Sequence, residues 1–580
     1  MSTWRGLFQK GMYRPKAVLV GVLLRKDHNV PTLHVQGFLC SGYNRERLLD
    51  QIACDYFTYL GSNLPQQCAS DEFYFLPRAE AALQYLTDID DLTPERIQDH
   101  VGYVERLLRG IPSPEESDGI EKEIDSSLLK QSMKSFIREF KEAEVWRSDP
   151  TLYVKIPLFA TDQVLSQRDG SSDQTKADLS KIFRQIPSFL SLAVKNLRFP
   201  SEISLQVARD MAQDALHFYT RDLRPFMAGK IGEDQELLIK YGEVLEAWER
   251  FHKDLLRVPS RKSFAIGNDD LKGIFALSLS YPKSPDEILE VAQCAYENTQ
   301  DKITALARKI DGSKTWNRII YEGLPSVSSP AEVMRLFQEE IKRLRRFFSS
   351  QDIITFPLKE KVMVLQTPSY LQSLRATASY QAPLTGNTKA HGIFYITPGR
   401  EDLELIAAHC PYLSAHETYP GHHLLDHVRI HHSNPIRRQI ESPLFYEGWA
   451  CYSEQLLDEL GYIRHPCQQL IQLQRQLWRI LRAMLDVKLH TERMSLKEAA
   501  KEIESLGFSP QRARRQARRF ALTPGYQSCY FIGSYEILRL RERFSPRLDV
   551  KGFHNTLLDG GQIPFHLVEK RLQERVNENG

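Results

Sequence analysis

Cysteine is thin in this chain: eight among 580 residues, at 40, 54, 68, 294, 410, 451, 467 and 529, with no CxxC pair. That scatter argues against a disulfide-stapled scaffold and fits a reducing compartment. Long hydrophobic runs are missing too. The apolar stretch Ala17 to Leu24 is too short to span a bilayer and is followed by charge rather than a small-residue cleavage site. It reads as a strand or buried segment, and a cytoplasmic location is expected. Charge of one sign is also lacking. A formal net charge of +2 argues against nucleic acid or a membrane surface as partner.

Strand-like text is scarce. Only Leu152–Ile156, Phe275–Leu279, Val362–Gln366 and Gly392–Thr397 combine shortness with β-branched or aromatic content. The last of these precedes Pro398-Gly399, and its edge is a candidate for pairing with an extended peptide. Apolar residues otherwise recur at the helical interval from about Arg45 onward, as in Leu48, Leu49, Ile52, Ala53, Phe57 and Leu60. Similar spacing runs through 78–110, 121–148, 178–228, 234–258, 286–311 and 330–350, interrupted by Pro, Gly and Ser clusters. There is no internal repeat. A mainly α fold is expected, with one large helical domain over 45–580, two-lobed at most, and residues 1–44 as an N-terminal extension.

The chemistry concentrates in His416-Glu-Thr-Tyr-Pro-Gly-His-His423. In the common zinc-protease motif two His stand at i and i+4 on one helical face, with Glu after the first as base. Here Pro420 occupies i+4, and the next histidines are His422 and His423. On a regular helix His422 would be rotated by roughly 240° from His416, and His423 would sit about 10 Å further along the axis. Neither could share an ion with His416 unless Pro420-Gly421 distorts the backbone. A third donor is suggested by Glu447, 25 positions after His422 and embedded in Leu444-Phe-Tyr-Glu-Gly-Trp-Ala450. A carboxylate in such apolar text needs a cation. Two His and one Glu with an open position is the pattern of catalytic zinc.

These motifs resemble the domain-of-unknown-function 885 family, whose signature is HExxPGHH followed by an EGWA block, here Glu447-Gly-Trp-Ala450. Further likeness lies in Ser70 to Arg78, Arg482 to Asp486 with His490, Arg519-Phe520, Pro524-Gly525, Tyr530 to Gly533 and Leu558 to Pro564. The resemblance implies a helical zincin-like (gluzincin) domain with a small β-sheet edge beside a deep active-site cleft, its metal site within 390–535. It implies His416, His422 and Glu447 as ligands of one Zn²⁺ per chain, and Glu417 as general base for zinc-bound hydroxide. Tyr530, matching a YxxG position, is the expected oxyanion donor. Tyr526, Arg519 and His391 are candidate substrate-binding residues, Arg519 because a guanidinium fork suits a peptide's terminal carboxylate. Asp486, His490 and His423 are candidates for orienting the ligands from behind.

The expected activity is zinc-dependent hydrolysis of peptide bonds, in oligopeptides or at peptide termini. Three other classes compete. Iron and oxygen chemistry could use the same donor set, but has no use for a base at Glu417. A non-peptide amide hydrolase would use the same zinc site. A non-catalytic helical binding scaffold is disfavoured by the presence of base and ligands together.

Overall fold

The Ser-Pro pairs that punctuate the sequence are helix starts. Ser284, Ser329 and Ser509 each accept a hydrogen bond from the backbone N–H three residues on, and the following proline fills the first helical position. Ser284 also completes a capping box with Glu287, as Ser495 does with Glu498. In the computed structural model, which describes residues 42–113, 119–166, 171–357, 360–368, 377–384, 391–397 and 403–579, the result is a mainly helical protein with one small sheet. Residues 46–580 form one compact unit. The stretch 17–24 lies outside the described residues. No helix among those described is long and apolar enough to cross a membrane.

Two of the four expected strands are helical. Leu152–Ile156 opens the helix Leu152–Ser166, and Phe275–Leu279 falls mostly in a π-turn over Ile274–Ser278. Leu152, Tyr153, Val154 and Ile156 are all buried. A short apolar run shut in on every side carries no period that separates strand from helix.

The other two form the sheet, labelled β1 (Val362–Gln366), β2 (Ala378–Gln381) and β3 (Gly392–Ile396). Its order is β1-β3-β2, with β3 parallel to β1 and antiparallel to β2. The expectation that the 392–397 strand presents an edge is therefore corrected: β3 is central and paired on both sides. Its nearly continuous apolar text, with Phe394 and Ile396 buried on one face and Tyr395 on the other, is what a strand covered on both faces requires. The strand beside Glu417 with an outer edge is β2.

Six helices position the chemistry: α1 (Cys410–Glu417), α2 (His422–Ile430), α3 (Pro443–Glu459), α4 (Pro466–His490), α5 (Pro510–Phe520) and α6 (Tyr526–Phe544). α3 and α6 cross backbone to backbone. A Cβ on Gly448 would lie 2.4 Å from the carbonyl carbon of Gly533, and one on Gly533 would lie 2.0 Å from the Leu444 oxygen. Only glycine at both positions lets these helices meet. The crossing brings the tyrosines of α6 over Glu447 on α3.

Gly533→Ala should accordingly destabilise the fold by about 1–3 kcal/mol or more in denaturant unfolding. Gly229→Ala, in the helix Arg224–Lys230 with open space around it, should be neutral or slightly stabilising. Equal, small effects of the two would contradict the close crossing.

A buried candidate metal centre

The Pro-Gly break separates two helices rather than bulging one. α1 ends at Glu417, and α2 begins at His422. Gly421 is held against the end of α1, where a Cβ would lie 1.9 Å from the His416 carbonyl oxygen. The Pro420 carbonyl accepts a hydrogen bond from the Trp449 indole on α3 at 2.7 Å. With the axis broken, His422 is free of the helical rotation that would carry it away from His416. Their rings lie 4.7 Å apart, edge to face.

Glu447 closes the group from α3. Its Oε2 lies 3.4 Å from His416 Nε2 and 3.6 Å from His422 Nε2. All three side chains are about 4 % exposed. Glu447 Oε2 has no hydrogen-bond partner, although it is buried; Oε1 accepts from the Tyr526 hydroxyl at 2.8 Å. A tetrahedral ion with bonds of about 2.0–2.1 Å separates its ligands by about 3.3 Å. The two carboxylate–imidazole distances match that separation, and all three donor atoms lie within 4.8 Å of one another.

The surroundings assign the His416 tautomer. Nδ1 lies 2.8 Å from Glu454 Oε1, so Nδ1–H donates to that carboxylate and the Nε2 lone pair faces Glu447. A lone pair opposite an unpartnered carboxylate oxygen, away from water, requires a cation or a proton between them. Burial opposes charge on His416, yet Cys451, Glu447 and Glu454 together hold its protonated form well above the ordinary range. Burial likewise opposes ionisation of Glu447, and His416 and His422 overcome it, holding the carboxyl well below its usual value.

Glu454 is pinned in turn. Arg475 forks onto both its oxygens at 2.7 Å, and Arg479 donates to Oε1 at 2.7 Å. His416, Cys451 and Glu454 also converge closely enough for a metal, but those two guanidiniums already occupy the carboxylate. His422 is fixed by stacking on Tyr446, 3.8 Å between ring centres, whose hydroxyl donates to Asp426 at 3.0 Å. Glu417 Oε2 accepts the Tyr380 backbone N–H of β2 at 2.8 Å.

The remaining candidates are placed differently from one another. Tyr530 lies nearly parallel to the His416 ring at 6.4 Å. Burial, with the Glu447 charge second, raises its phenol above the ordinary value. Tyr526, expected to touch substrate, instead hydrogen-bonds the Glu447 carboxylate. His423 turns from the group toward β2, its Nδ1 3.2 Å from the Tyr380 hydroxyl, and burial lowers it to about 4. Asp486 and His490 do not reach His416 or His422, correcting that expectation. Asp486 accepts from the backbone N–H groups of Gly525 and Ser528 at 3.0 Å each, which sets the start of α6. His490 Nε2 lies 3.0 Å from the Phe520 carbonyl oxygen. Arg519 on α5 and His391 before β3 are exposed.

Glu454, Arg475 and Arg479 escaped the sequence reading. Their signal was present: Glu454 follows Glu447 by seven, two turns along one face of α3, and the arginines stand four apart on α4. A cavity of about 380 Å³ is lined by Pro187, Leu190, Glu246 and Arg250 among others and touches none of these residues.

Glu454→Gln should lower zinc affinity about 10–100-fold and cost about 3–5 kcal/mol, because Arg475 and Arg479 lose their buried anion. Competition with a chromophoric chelator and denaturant unfolding measure the two. Because Cys451, Glu447 and Glu454 raise the pKa of His416 well above the ordinary range, zinc uptake at the proposed site should release protons, and affinity should rise with pH. Calorimetry in buffers of different ionisation enthalpy counts them; zero release contradicts the electrostatics.

Comparison with known proteins adds fold and family. No curated protein matches the chain. Solved structures do, among them two at 17% identity each. One, described as "a putative lipoprotein of unknown function from Shewanella oneidensis", has a TM-score of 0.72, covering 90% of this chain and 99% of that one. The other, described as "the putative lipoprotein from Colwellia psychrerythraea", has a TM-score of 0.76, covering 92% and 99%. They share the fold. A family model described as bacterial protein of unknown function (DUF885) matches residues 79–572, nearly the whole described chain, and the protein belongs to that family.

Proposed function

We propose that the protein is a zinc-dependent peptide-bond hydrolase of zincin-like (gluzincin) type, holding one Zn²⁺ per chain. Its substrates are oligopeptides or peptide termini. The observation that carries this reading is the buried, unpartnered Glu447 oxygen facing two imidazole nitrogens at ligand–ligand spacing. Two nitrogens and one carboxylate leave a coordination position open, as hydrolysis requires. Zinc held there supplies a Lewis acid that polarises a carbonyl and acidifies water.

The chain's own groups supply the rest. Glu417 directly follows a ligand histidine, and the Tyr380 N–H of β2 fixes one of its oxygens. It accepts the proton of the attacking water. Tyr530, kept protonated by burial and by Glu447, donates to the oxyanion that develops on the substrate carbonyl. Tyr526 holds the Glu447 carboxylate in orientation. The described cysteines are all free, which supports a reducing, cytoplasmic setting as part of this proposal.

Metal analysis paired with cleavage of a mixed peptide library tests the reading. Glu417→Gln should keep zinc and lose about 10²–10⁴ of the rate, whereas His416→Ala and Glu447→Ala should lose zinc as well. Zinc retained at full stoichiometry in the His416→Ala/Glu447→Ala double variant would sink the ligand set. Full activity in Glu417→Gln would sink the base.

A further inference from the structure

Three guanidiniums, those of Arg475, Arg479 and Arg482, stand along the middle of α4, and they differ in what neutralises them. Arg475 and Arg479 share the Glu454 carboxylate. Arg482, about one turn beyond Arg479, has no such partner. Its Nε and Nη2 both donate to one neutral oxygen, Gln527 Oε1, at 3.0 and 2.6 Å. No carboxylate among the described residues lies within ion-pair distance of it. The nearest acid along its own face, Asp486, is spent on the backbone N–H groups that start α6. Arg482 is only partly exposed, and its guanidinium lies 3.5 Å over the Tyr530 ring. A partly buried cation whose contacts are all neutral leaves a charge for an anionic ligand to meet.

Its position says which anion. Tyr530 carries Arg482 on its ring at 3.5 Å and stands 6.4 Å from the His416 ring. The two distances together limit the separation of guanidinium and ligand ring to the reach of about three extended residues, at ~3.3–3.6 Å each. We infer that Arg482 binds the free C-terminal carboxylate of a peptide whose scissile bond lies at the metal, so that the enzyme acts within a few residues of the carboxyl end. This rests on the hydrolytic reading above. Arg519, exposed on α5, adds a weaker field at Tyr530, and the anchoring role expected of it from sequence passes to Arg482.

The test uses matched peptides ending in a free acid or an amide, with the full-length zinc protein. The acid should be favoured about 10–100-fold in kcat/KM, the range of a charge-assisted hydrogen bond. Arg482→Gln should collapse that ratio toward one, mainly through KM and with zinc content unchanged. Arg482→Lys should restore part of it, and Arg519→Gln should reduce it less. Binding of the same peptides to zinc-loaded Glu417→Gln, measured by calorimetry, should show the same preference without turnover. Cleavage of both forms at equal rates overturns the carboxylate site alone. Acid-selective binding without any cleavage by the wild type overturns the hydrolytic reading and leaves the site standing. Neither binding nor cleavage overturns both.

Discussion

A carboxylate oxygen set between two imidazole nitrogens, shut away from water, is the interaction on which the rest depends. Glu447 and Glu454 both lie on the buried face of α3, two turns apart. Each would be expensive to bury alone. Glu454 is met by Arg475 and Arg479 and by His416; Glu447 is met by His416, His422 and the Tyr526 hydroxyl. His416 is common to both sets, so one imidazole couples a structural ion pair to the candidate metal position. The stability of the α3–α4 contact and the ligand geometry therefore cannot be changed independently.

Backbone sterics make the arrangement reachable. The break at Pro420-Gly421 moves His422 from a helical rotation that would exclude it, and the Gly448–Gly533 crossing lets α6 approach closely enough for Tyr526 to touch Glu447. The first constraint was legible in the sequence, because helix geometry forbids His416 and His422 from meeting without a break, and proline and glycine stand at the one place that could supply it. The second was not. Gly448 and Gly533 read as ordinary helical glycines until the partner helix is known, since a close crossing is a property of two segments 85 positions apart.

The same distinction separates the other outcomes. Helices with serine caps and first-turn prolines were readable because the signal is local. The 152–156 run was not, since full burial erases periodicity. Glu454 stood on the right face of α3, but its partners come from α4, and nothing in either segment names the other. Asp486 and His490 share a helical face as expected, yet that face looks toward the start of α6 and the end of α5 rather than toward the candidate metal position. Spacing shows which residues lie together on one element, but not which neighbour they meet.

In the proposed reading His416, His422 and Glu447 hold one zinc ion. Anomalous diffraction on either side of the zinc absorption edge, from crystals grown with zinc, tests it directly. A single strong peak is expected at about 2.0–2.2 Å from His416 Nε2, His422 Nε2 and a Glu447 oxygen. A peak elsewhere, or none at that position in zinc-saturated protein, would contradict it.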